Sequence, residues 1–174
     1  MATTHSRRAF LKAGVLGAFA LAAAGSIYKL TLPAATPHRF TVDERAGSVL
    51  AAIIPVMLKD AVASPGDIDA AIGRVQEAIA GLPVATQQEI QELFGLLVFA
   101  PARRLLTGVT EDWPQADQEE VTAFLQSWRT SRFALLQSAY HGLHDLITGS
   151  WYSHESTWAS IGYHGPIRLS GEAS

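Results

Sequence analysis

Four of the histidines, His141, His144, His154 and His164, lie toward the C-terminus, and Asp145 stands among them. His141 and His144 are three residues apart. On a helix such positions sit about 60° apart around the axis, so two imidazoles can share a metal ion, with a loop histidine completing the set. The same spacing also suits solvated or hydrogen-bonded side chains. His144 flanks an apolar stripe, and His141 lies farther toward the polar side. The acidic pairs Asp43-Glu44, Glu111-Asp112 and Glu119-Glu120 invite an acid–base reading. Neighbours on a helix point about 100° apart, however, which suits helix starts better than facing catalytic carboxylates. The chain contains no nucleophile elbow, glycine-rich phosphate loop or His-Glu-x-x-His. No catalytic residue is expected.

The most specific chemical signal stands at the other end. Ser6-Arg7-Arg8-Ala9-Phe10-Leu11-Lys12 forms a twin-arginine export box in front of an uncharged Ala/Gly-rich run from Ala13 to Tyr28. That pairing is the address of the bacterial Tat translocase, which carries proteins out of the cytoplasm already folded, so the expected location is the periplasm. The run is too short and too poor in large apolar residues to span a ~30 Å hydrocarbon core well. It reads as a leader. Ala22-Ala23-Ala24 before Gly25 is the best small-residue cleavage site, and Pro33-Ala34-Ala35 before Thr36 is a second. Residues 1–35 are therefore expected to be signal and linker, and residues 36–174 a single domain whose folded structure begins near Phe40.

Charge divides at the same place. Of 13 Lys and Arg, four (Arg7, Arg8, Lys12 and Lys29) precede Ala35 without any acid, which leaves nine basic against 16 acidic residues in the remainder. An acidic domain argues against nucleic acid and anionic membrane surfaces as partners, with membrane contact expected only through the leader or a complex. The chain has no cysteine, so disulfides, iron–sulfur clusters, covalent c-type haem and thiolate zinc sites are excluded. Packing must supply the stability. Roughly 135 residues suffice for one core and are too few for two comfortable domains.

The elements that position these residues follow a helical period. Thr41 and Glu44 form a capping-box pattern before Ala46, Val49, Leu50, Ile53 and Met57, and Pro55 is expected to kink or end that helix. Ser64-Pro65-Gly66-Asp67 opens a second helix through Ile68, Ile72, Val75, Ile79 and Leu82, closed by Gly81 and Pro83. Thr86 and Glu89 repeat the capping box before Ile90, Leu93, Phe94, Leu97 and Val98, until Pro101 interrupts. Arg103, Arg104 and Arg129 suit helix C-termini. A polar loop from about Thr107 to Gln115 leads to a fourth helix opened by Asp117 and Glu120. The fifth begins near Ser131, carries Phe133, Leu136, Tyr140, Leu143 and Ile147, and is expected to stop at Gly149. No segment has a strand period. The expected fold is an all-α single bundle of about five helices, with an extended aromatic C-terminal tail.

Beyond Gly149 the residues are dense in aromatics, glycine and histidine. Glu155 to Ile161 can form a short helix with Gly162 as its left-handed stop. Trp151 and Trp158 suit lids on the open end of the bundle. Trp151, Tyr152, Trp158, Tyr163 and Pro166 also suit contact with another protein, because such side chains give large contact area at small entropy cost.

A Tat leader, the run Thr41-Val42-Asp43-Glu44-Arg45 leading to Ile54-Pro55, and an ending Trp151-Tyr152, Trp158, Ile161-Gly162-Tyr163, Gly165-Pro166 together resemble the gluconate 2-dehydrogenase subunit 3 family. The resemblance implies a small accessory subunit without catalytic residues or a cofactor of its own. It further implies an FAD-dependent large subunit of the glucose–methanol–choline type, often joined by a multihaem cytochrome c. The chain would escort that flavoprotein through the Tat pathway. Two other readings stand beside it: a periplasmic metal- or haem-binding helical protein using His141 and His144, and a freestanding periplasmic binding protein.

Overall fold

The first helix, α1 (Glu44–Leu58), is enclosed along nearly its whole length in a computed structural model that describes residues 40–158 and 161–163. Ala46, Val49, Leu50, Ile53, Ile54 and Leu58 are buried, and past Arg45 only Ala51 is exposed. A helix apolar on most sides has to become the centre of its bundle. Around it pack α2 (Pro65–Ala80), α3 (Val84–Val98), α5 (Gln118–Arg129) and α6 (Ala134–Tyr152), while a short helix, α4 (Ala100–Thr107), packs on α3 and α5. Three 3₁₀ turns, Lys59–Ala61, Trp113–Gln115 and Glu155–Thr157, complete the order. The described residues are all-α, with six α-helices and no strand among them. The sixth comes from splitting the expected third helix.

Local chemistry sets the helix ends, and several differ from the sequence expectation. Asp43, not Thr41, caps α1, its Oδ1 accepting the Ala46 N–H at 2.8 Å. Pro55 does not end the helix, which runs on to Leu58. The proline ring crowds only the preceding turn, so residues beyond it can continue. The stop comes at Lys59, whose φ of 46° turns the chain away and whose N–H returns to the Pro55 carbonyl. Phe99 breaks the third helix, and Pro101 sits in the first turn of α4, where its missing N–H costs nothing. Gly149 lies inside α6 and not at its end. A glycine stops a helix by adopting positive φ, and among the described glycines only Gly108 and Gly162 do so.

The start of α3 shows what a capping pattern misses. Thr86 and Glu89 form no box; α3 begins directly after Pro83, without any side-chain cap. Its organising residue is Gln87, 2% exposed. Gln87 Oε1 accepts the Phe40 N–H at 3.1 Å, while Nε2 donates to the Leu82 carbonyl at 2.8 Å and to that of Ala80 at 3.4 Å. One amide thereby clasps the chain entering the domain to the α2–α3 corner. Replacing Gln87 by Leu keeps the volume but strands these groups, so unfolding in urea is expected to be easier by about 2–3 kcal/mol. A loss under half a kcal/mol would show that the clasp is dispensable.

The α2 start matches its pattern fully. Asp67 N donates to Ser64 Oγ at 3.3 Å, and Asp67 Oδ2 accepts the Ser64 hydroxyl at 2.8 Å and the N–H groups of Ser64 and Ala63 at 2.9 and 3.1 Å. The Ser64 hydroxyl first, then those two N–H groups, hold the Asp67 carboxyl below its ordinary value of 3.8. A depressed folded value stabilises the fold above the unfolded value, and that contribution disappears as pH falls through the folded one. Asp67→Asn should lower the melting temperature at neutral pH, and the gap to wild type should close on acidification below 3.8. Melts across the acid range check this.

Candidate functional site

The C-terminal end of α6 gathers the aromatic residues singled out by sequence. The helix does not break before Trp151 but carries it and Tyr152 in its final turn. Trp151 is only 6% exposed and belongs to the core, so it seals the bundle end. Tyr152 and Trp158 are half-buried, whereas Tyr163 is exposed. Pro166 and His164 lie outside the described residues, as do Ser6, Arg7, Arg8, Phe10, Leu11 and Lys12.

Arg74, on α2, organises this end and was not singled out by the sequence. Its guanidinium lies 4.3 Å from the centre of the Trp151 ring. Nη1 donates to the Trp151 carbonyl at 3.3 Å, and Nη2 to the Ser156 hydroxyl at 3.1 Å. Thr157, 5% exposed, has its hydroxyl 2.7 Å from the His154 carbonyl, its nearer acceptor, and 3.0 Å from the same Trp151 carbonyl. A cation on a last-turn carbonyl offsets the negative end of the helix dipole, and stacking on indole adds to that. The available sign in the sequence is positional: Arg74 stands between Ile72 and Val75 on an inward-facing stretch, where a cation needs a partner.

The chain then makes a small aromatic hook. Trp158 Nε1 donates to the Tyr152 carbonyl at 3.0 Å, and Tyr163 N returns to the Trp158 carbonyl at 2.9 Å. The Trp158 and Tyr163 rings meet edge to face at 5.1 Å. Gly162, at φ 70°, supplies the left-handed turn that permits this return. Of the expected short helix Glu155 to Ile161, Glu155–Thr157 forms a 3₁₀ turn and Ile161 is again 3₁₀, while residues 159 and 160 lie outside the described residues. Ile161 and Tyr163 remain 52% and 46% exposed. An anchored Trp with exposed apolar neighbours is a suitable contact surface for a protein.

The histidines are arranged differently. His141 is exposed and half-buried His144 places Nδ1 3.1 Å from Asp145 Oδ1. Tyr140 contacts both imidazoles, with ring centres 5.4 and 5.9 Å away. His154 is a local cap, its Nδ1 accepting the Ser156 N–H at 3.4 Å and lying 2.9 Å from Ser156 Oγ. No group of three His, Cys, Asp or Glu able to hold a metal ion occurs among the described residues. Nor is any single helix there long and apolar enough to cross a membrane.

Among the basic residues, Arg129 lies in the last turn of α5 and Arg104 in that of α4. Arg103 differs from the expectation of a helix-end cation. It is 3% exposed, and its Nη2 pairs with Asp112 Oδ1 at 2.8 Å. The pair ties α4 to the loop ahead of α5. Comparison with known protein families, characterised proteins and solved structures found no match to this chain.

Removing the Arg74 side chain should free the hook. Arg74→Ala is expected to cost about 1–2 kcal/mol and to speed amide exchange at Thr157 and Trp158. Arg74→Lys, lacking the planar fork, should recover less than half of the protection. Equal exchange in all three proteins would show that the hook stands without the clamp.

Proposed function

We propose that the chain is a non-catalytic small subunit that binds, stabilises and escorts an FAD-dependent dehydrogenase through the Tat pathway to the periplasm. The observation that carries this reading is the Ser6–Lys12 box ahead of an uncharged apolar run, on a chain without cysteine or nucleotide-binding loop. Folded export is useful to a protein that loads its cofactor in the cytoplasm. This chain has little need of it for itself. A flavoprotein must fold around FAD before crossing, and a bound small subunit can lend it Arg7 and Arg8. The resemblance to the gluconate 2-dehydrogenase subunit 3 family names the kind of partner: a large subunit of the glucose–methanol–choline type, which a cytochrome c subunit can join.

The aromatic hook supports the reading from the folded side. Trp158, Ile161 and Tyr163 present apolar surface on a base held by Arg74 and Trp151, so little order has to be gained when a partner docks. In this reading the FAD and the catalytic groups belong to the partner. Membrane contact through the leader or the complex follows from the same arrangement.

Replacing Arg7 and Arg8 together by Lys tests the escort role. Dehydrogenase activity and large-subunit protein should fall at least about tenfold in the periplasmic fraction and accumulate in the cytoplasm. Periplasmic delivery of the large subunit at the wild-type level would remove the basis of the proposal. Mild affinity purification of the wild-type chain should yield a yellow complex with one large flavoprotein.

A further inference from the structure

The turn that joins α6 to the aromatic hook is capped by a histidine that serves there as a hydrogen-bond acceptor. His154 precedes the 3₁₀ turn Glu155–Thr157, and its Nδ1 accepts the Ser156 N–H at 3.4 Å. The Ser156 hydroxyl lies 2.9 Å from the same nitrogen. That oxygen also receives Arg74 Nη2 from α2, at 3.1 Å. A guanidinium and a backbone N–H can only donate, so the protons have one consistent arrangement. Ser156 Oγ accepts from Arg74 and turns its own proton to His154, whose Nδ1 is bare while Nε2 carries the ring proton.

That arrangement fails when the imidazole takes a second proton. Both ring nitrogens then donate, so Nδ1–H faces the Ser156 N–H and the cap is lost. The imidazolium can still donate to Ser156 Oγ, but there it competes with the Arg74 guanidinium, and two cations come to share one hydroxyl. The acids nearby give little relief. Glu155 in the turn and Glu77, nearly one helical turn beyond Arg74 on α2, form no ion pair with His154 among the described residues. The last turn of α6, Gly149 to Tyr152, carries no carboxylate. The hook is built directly on this turn. Trp158 N bonds to the Glu155 carbonyl at 3.1 Å, and the Ile161 and Tyr163 N–H groups return to the Trp158 carbonyl at 3.2 and 2.9 Å.

We propose that His154 makes the hook proton-sensitive: the neutral imidazole caps the turn that presents Trp158, Ile161 and Tyr163, and protonation loosens that turn and weakens partner binding. The regulatory consequence rests on the hook being the partner surface; the proton chemistry does not. Histidine side chains change charge between roughly pH 5 and 8, so the hook is held near neutrality and slackens on acidification. In the export reading, a complex formed in the near-neutral cytoplasm loosens when the chain meets an acidified exterior.

Amide exchange in the full chain, corrected for its intrinsic pH dependence, tests this at about pH 7.5 and 5.5, on either side of the ordinary histidine range. Protection at Ser156, Thr157 and Trp158 should fall at least about threefold on acidification. His154→Asn supplies a side-chain acceptor that does not titrate, so its protection should stay level. Leu143, buried on α6, reports global stability and should not change in either protein. Equal falls in wild type and His154→Asn overturn the proposal. So does wild-type protection in His154→Ala at the higher pH, which would make the cap dispensable. None of these measurements needs a partner, so they decide the role of His154 even if no flavoprotein copurifies and the escort reading fails. Where a large subunit does copurify, it should be retained less well at the lower pH, and His154→Asn should remove the difference; equal retention by the wild type at both values overturns the regulatory role.

Discussion

Enclosure of α1 is the constraint on which the other elements depend. Val49, Leu50, Ile53 and Ile54 have no measurable exposure, and each such side chain contributes about 1.5–3 kcal/mol when fully buried. Their sum exceeds the roughly 3 kcal/mol that an interior proline costs, which is why Pro55 is tolerated. It also explains the arrangement of neighbours. No single helix can cover such a surface, so α2, α3, α5, α6 and the 113–115 turn all touch α1, and their relations to one another follow from sharing it.

A bundle without cysteine still has to secure its helix ends, and it does so largely with tryptophan. Trp113 Nε1 donates to the Leu97 carbonyl in the last turn of α3, and Trp128 Nε1 to that of Leu106 in the last turn of α4, both at 2.8 Å. Trp158 does the same for Tyr152 at the end of α6. Terminal carbonyls lack an intrahelical donor, so a buried indole satisfies itself and the helix at once. Arg74 fills that role on the Trp151 carbonyl. The aromatic residues thus hold the frame.

That frame relates the exposed surfaces. The hook beyond Tyr152 is held because α2 supplies Arg74 and α6 supplies the helix end, and those two helices pack directly on each other. The opposite end of α6 carries the exposed Phe133 and Leu135. Helix α6, packed against α1, α2 and α5, keeps the two ends apart.

The sequence by itself determined the all-α class, the Ser64 cap with Pro65 and Asp67 in the first turn of α2, the opening of α5 by Asp117, the left-handed Gly162 and the apolar face of α1. These depend on residues within a turn or two of each other, or on a helical period that any neighbour would have to cover. On α6, Leu143 and Ile147 are buried as expected, but Phe133 precedes the helix and is 55% exposed. Tertiary structure decided what distant residues do to one another. Gln87 recurs on the stripe of Phe94 and Leu97, yet only the approach of Phe40 makes its amide a clasp. Arg103 reads as a helix-end cation until the following loop brings Asp112 onto it. Gly149 reads as a stop because glycine permits one, but α6 continues to Tyr152, where Arg74 supplies a donor to the Trp151 carbonyl. A helix end, a buried charge and an amide clasp are settled by where donors and acceptors meet in space, and spacing along the chain does not contain that distance.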